Sequence, residues 1–115
     1  MGNSGTLGGE FRTALRTRSF VMAMQIAKAM PHLTLTDALD LTLLAAERDP
    51  ERYRPMAQRF LVRLIEERDL SFTDIGDAAR GLAAIAEGGA GAEMRELVRK
   101  RPLKGAIGRP YSRSP

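Results

Sequence analysis

The sequence predicts an all-α protein of about five antiparallel helices, arranged as a short, solenoid-like array of helical hairpins. Three observations carry this reading. Apolar residues recur at helical spacing over most of the chain. Two octets, LTLTDALD at 33–40 and LSFTDIGD at 70–77, both have the form of a helix start. Pro and Gly fall between the periodic runs, where helices end.

Residues 1–9, MGNSGTLGG, are rich in Gly and lack apolar periodicity, so a flexible lead is expected there. The first helix then spans 10–30. Phe11, Leu15, Met22, Ile26 and Met30 make one stripe, and Phe20 and Met24 a second. A helix apolar on two sides needs neighbours on two sides. Pro31 ends it.

The second helix begins inside the first octet. Thr34 and Asp37 stand three apart, as in a capping box with Asp in place of Glu, and Leu33 with Ala38 can form the accompanying staple. Its body, LDLTLLAAER, is apolar around much of its circumference, which predicts a central position.

Asp49-Pro50 opens the third unit. Pro55 would remove a backbone hydrogen bond, so a short turn over ERYR and a main helix from Pro55 to about Arg68 are expected. Met56, Phe60, Leu61, Leu64 and Ile65 form its buried face, and Arg59, Arg63 and Glu67 lie outside at pairing distance along the helix.

Ser71 and Asp74 repeat the cap, with Leu70 and Ile75 as the staple. The fourth helix carries Ile75, Ala78, Leu82 and Ile85 and stops at EGGAG. A last amphipathic helix holds Met94, Leu97 and Val98 on one face and ends at Pro102. The domain division is therefore a lead over 1–9, a helical domain over 10–101 and a basic flexible tail over 102–115.

The two octets are offset by 37 residues and agree outright at Leu33/Leu70, Thr36/Thr73, Asp37/Asp74 and Asp40/Asp77. Either they mark a hairpin written twice, a period proper to stacked helical repeats, or both are simply favourable helix starts. The run LTLTDALDLTLLAAERDPERY…RFLVRLIEERDLSFTDI resembles short all-helical proteins of unknown function encoded in high-GC actinobacterial genomes. The resemblance covers about residues 20–86 and implies no activity. The hairpins are also loosely similar to HEAT and tetratricopeptide units, without the Trp and Tyr pattern of the latter.

The chain has no cysteine, which excludes a disulfide framework, a thiol nucleophile and Cys-ligated metals. A cytoplasmic location is the expectation. The most apolar stretch, 20–30, contains Gln25 and Lys28 and is too short to span a bilayer, so no membrane role is expected. MGNSGT fits the N-myristoylation pattern, a short motif that matches often by chance. The net charge of +4 is uneven: residues 19–98 hold nine basic and thirteen acidic side chains, while 99–115 hold six basic residues and no acid.

No constellation points to catalysis, a metal or a cofactor. His32 is the only histidine and sits in a loop. Asp37, Asp40, Asp74 and Asp77 lie near helix N-termini, where the helix dipole favours carboxylates without any metal. GGAG at 88–91 lacks the strand before it and the Lys-Ser/Thr after it that a phosphate loop requires. Residues 72–82 resemble a helix-turn-helix entry only superficially, because the following helix has no basic residue to read a groove.

The expected function is a non-enzymatic protein–protein interaction module, with a homodimer through the first helix as one form. Its contact residues are expected to be Phe20 and Met24, together with Arg52, Arg59 and Arg63 along a groove. The alternative is a small nucleic-acid-associated protein that uses Arg99, Lys100, Arg101, Lys104, Arg109 and Arg113, with weak and salt-dependent binding.

Overall fold

The computed structural model of the protein describes residues 3–104. Within them lie six helices and no strand: α1 (Asn3–Arg16), α2 (Phe20–Ala29), α3 (Leu35–Arg48), α4 (Pro50–Glu67), α5 (Phe72–Ala86) and α6 (Ala92–Lys100). The all-α class is as predicted, with one helix more than expected.

The extra helix comes from a break at Thr17–Ser19. Arg18 adopts φ 61, the left-handed region that residues with a Cβ seldom enter. Ser19 N donates to Ala14 O at 2.9 Å and Arg18 N to Leu15 O at 3.1 Å. This pair of bonds is the Schellman helix ending, with Arg18 in the place usually given to Gly. Thr17 Oγ1 adds a bond to Thr13 O at 2.9 Å. The same ending closes α5, where Gly88 has φ 99, Gly88 N reaches Ile85 O and Gly89 N reaches Ala84 O.

The break resolves the two-sided apolar pattern. On one continuous helix, Phe11 and Phe20 would point to opposite sides, since nine residues turn through about two and a half revolutions. Folding α2 back on α1 sends both rings into one core, where Phe11 is fully buried and Phe20 is 7% exposed. The cost of that change of direction is borne by Met22, which turns outward.

Helix α1 also begins earlier than predicted. Residues 3–9, expected to be a lead without regular structure, belong to it. Helix α4 is likewise longer: it runs unbroken from Pro50, with Pro55 inside it. Pro55, the sixth residue of the helix, lacks the N–H that would reach the carbonyl of Glu51, so the helix forgoes that bond and continues. The segment before it is anchored by Tyr53, which is buried and donates its hydroxyl to Leu82 O on α5 at 2.7 Å.

Both octets start helices. Thr34 Oγ1 accepts from Asp37 N at 3.1 Å. The second octet makes a complete capping box, with Ser71 Oγ accepting from Asp74 N and Asp74 Oδ2 accepting from Ser71 N. Helix α3 is central, as its apolar circumference predicts, and touches α1, α2, α4, α5 and α6. Along the chain each helix packs on the next, and α6 returns to α3. That return makes a ring of α3, α4, α5 and α6, whereas an open stack would keep distant units apart. The α1–α2 hairpin lies against α3 outside the ring.

The molecule is flat, 47 × 40 × 20 Å, so its short dimension is about two helix diameters. Its core is thin, built on Phe11, Leu39 and Leu64 with Phe60, Leu82 and Val98 around them.

Candidate interaction surface

A two-layer slab leaves broad helix faces with nothing above them. Among the described residues, the large apolar side chains most exposed are Val21 (70%), Met22 (51%), Val62 (53%), Phe72 (94%) and Leu103 (57%). Two of them flank grooves. The groove between α1 and α2 has a volume of about 620 Å3 and is lined by Thr13, Ala14, Thr17, Met22 and Ile26. The groove between α3 and α4 has a volume of about 570 Å3. Leu33, Leu41, Met56 and Val62 give it an apolar floor, and Arg59 and Arg63 flank it.

The expected contact residues are therefore placed differently from the prediction. Phe20 is a core residue and presents no free face; Met24 is half-buried and packs against the core. Their neighbours Val21 and Met22 are the ones that face outward, because the break at Arg18 rotates α2 relative to α1. A helix break without Gly or Pro left no signal for this in the sequence. Arg59 and Arg63 do share one groove, and Arg63 is also tied by its Nε to Glu67 Oε2 at 2.7 Å. That bond, with the nearby positive charge, holds the Glu67 carboxyl below its ordinary range. Arg52 does not line this groove and pairs with Asp49 at 3.2 Å.

The basic residues near the C-terminus are less free than a tail would be. Arg99 donates to Glu96 Oε1 at 2.7 Å, and Lys100 lies 3.8 Å from the same oxygen. The Arg99 bond lowers the Glu96 carboxyl. Arg101 donates twice to Asp74, from Nε at 2.9 Å and from Nη2 at 2.8 Å. Residues 102–104, expected to belong to a loose tail, pair with 67–69: Asp69 N donates to Pro102 O and Lys104 N to Glu67 O, both at 2.9 Å. The long-range pairing of Arg101 with Asp74, 27 residues apart, is what fixes this end, and local spacing does not reveal such a pair. Arg109 and Arg113 lie outside the described residues.

The remaining candidates are dispersed. His32 is exposed in the α2–α3 connection. Asp40 pairs with Arg95 and Asp77 with Arg80. Among the described residues no group of three His, Cys, Asp or Glu side chains is placed to hold a metal ion. Nor is any described helix long and apolar enough to cross a membrane. The 88–91 loop joins α5 to α6, and Gly91 lies so close to Leu43 that a Cβ there would sit 2.6 Å from Leu43 Cδ1. Packing of α6 on α3 accounts for that glycine.

No family model, curated protein or solved structure matches the chain.

Proposed function

We propose that the chain is a non-enzymatic interaction module that self-associates through the outward face of the α1–α2 hairpin. The carrying observation is the pairing of Val21 and Met22, both mostly exposed, with the adjoining groove lined by Ala14 and Ile26. An apolar helix face beside an apolar groove suits a helix from a second molecule, with Met supplying an adaptable contact. In a molecule only 20 Å thick, covering one broad face also shields a thin core. A cytoplasmic setting belongs to the same proposal; a chain without cysteine is compatible with a reducing compartment and does not by itself select one.

The alternative as a nucleic-acid-associated protein draws less support. Arg99, Lys100 and Arg101 each have a carboxylate beside them, so using them on phosphate means giving up or sharing those partners.

Sedimentation over a range of concentrations tests the reading. The native chain is expected to dimerise, and Val21→Glu combined with Met22→Glu is expected to leave a folded monomer. A native chain that stays monomeric at every concentration would overturn it.

A further inference from the structure

Asp37 and Asp74 occupy matching places in the two octets, and their carboxylates have opposite fates. Asp74 receives the Ser71 N–H at 3.1 Å and two bonds from Arg101. Asp37 is 8% exposed, yet among the described residues no donor reaches its carboxylate; the one bond it makes in the cap is through its own N–H. The start of α3 favours a negative charge at Asp37 but gives the buried carboxylate no bonded partner, which leaves its acceptor capacity open.

The side chain lines a cleft of about 370 Å3 between α1, α3 and α6. Arg18 holds Glu47 there, and Arg95 holds Asp40. Two guanidiniums in the same cleft have only neutral acceptors among the described residues: Arg12 donates to Gly8 O and Arg16 to Thr13 Oγ1, each at 3.2 Å. Once the two ion pairs are set aside, the cleft offers one buried negative charge and two partly satisfied positive ones.

That charge pattern selects its ligand. A simple anion would meet the Asp37 carboxylate, and a simple cation would meet the guanidiniums. A small molecule with both charges satisfies each wall. We propose that this cleft binds a small zwitterion of the α-amino-acid type, with its ammonium on Asp37 and its carboxylate on Arg12 and Arg16. The volume lies in the range of small-molecule sites, and the cleft is distinct from the groove assigned to self-association.

The test is titration of the full chain, followed by amide chemical shifts and calorimetry, with glycine, glutamate and lysine as probes up to about 10 mM. Acetate and methylammonium serve as single-charge controls. At least one amino acid is expected to bind saturably, perturbing amides in residues 12–18 and 37–47, and the single-charge controls about tenfold more weakly. Asp37→Asn is expected to weaken binding about tenfold, and Arg16→Gln to weaken it measurably. The proposal fails if no probe perturbs the cleft. It also fails if Asp37→Asn binds as well as the native chain, or if the single-charge ions bind equally well. Arg16 is exposed, so Arg16→Gln should fold in any case. If Asp37→Asn does not fold, unchanged affinity in Arg16→Gln overturns the proposal by itself.

Discussion

Arg101, the residue just after α6, grips the carboxylate of Asp74 in the first turn of α5 through two parallel hydrogen bonds of 2.9 and 2.8 Å. The same carboxylate caps α5 by accepting from Ser71 N. One side chain thus completes a helix start and fastens the end of the chain's last described helix to it. Charge-assisted bidentate pairs of this kind combine strength with a fixed orientation.

The Asp74 carboxyl is held well below its ordinary value of 3.8, chiefly by the Arg101 bond. A carboxyl lowered in the folded state stabilises the fold above its unfolded value, and that contribution fades as pH falls below it. Native stability is therefore expected to drop as pH is lowered from about 4 towards 2, and Asp74→Asn is expected to flatten that drop. Urea unfolding at a series of acid pH values measures both. An equal slope in the two proteins would mean that the pair contributes nothing.

Tyr53 gives the alkaline counterpart. Burial pushes its phenol up from 10.0 to about 12. The neutral phenol fits the fold, so its contribution is intact below pH 10 and is lost as pH rises towards 12. Tyr53→Phe removes the bond to Leu82 O and is expected to cost about 1 kcal/mol near neutral pH. It should also abolish the tyrosine-linked part of the alkaline loss, which can be read by following unfolding against pH.

Phe20 and Met22 make a discriminating pair. Phe20→Ala removes a buried ring and is expected to destabilise the fold by about 3–5 kcal/mol. Met22→Ala, on an exposed side chain, is expected to change stability by less than about 0.5 kcal/mol while weakening self-association. Thermal unfolding and sedimentation on both variants separate the two roles. Loss of stability in Met22→Ala would place that residue in the core instead.

At Arg18 the backbone itself is open to test. Its φ of 61 suits Gly, so Arg18→Gly is expected to gain up to about 1 kcal/mol, less the small contribution of the exposed pair with Glu47. Arg18→Val, with a branched side chain in the same conformation, is expected to lose more than about 1 kcal/mol. Chemical denaturation of the two variants gives the difference directly, and equal stabilities would contradict the assigned turn.

What the sequence reveals follows the range of the interaction involved. Helix starts at Thr34 and Ser71 were legible because a cap is written in four consecutive residues. The end of α5 was legible for a similar reason, because a Gly fills the left-handed position at residue 88. The matching end of α1 was hidden, because Arg18 fills that position with no Gly or Pro to mark it. Without that turn the helical phase of α1 runs on into α2 and exchanges Phe20 for Met22 as the exposed residue. Pro55 misled in the other direction, because its local cost ignores the Tyr53 anchor 29 residues from its acceptor. The candidate cleft was invisible for the same reason: Asp37, Arg12 and Arg95 meet only once three separate helices have packed.

Helix α6 is gripped at both extremities, by the Gly91–Leu43 contact at its start and by Arg101 on Asp74 just past its end. A nine-residue helix between two such fixings behaves as a stiff rod about 14 Å long. A methyl group added at Gly91 must displace Leu43 or tilt the rod, and a tilt is felt first at the far fixing. Gly91 and Asp74, on different helices, are thus mechanically connected through the length of α6 and Arg101 beyond it.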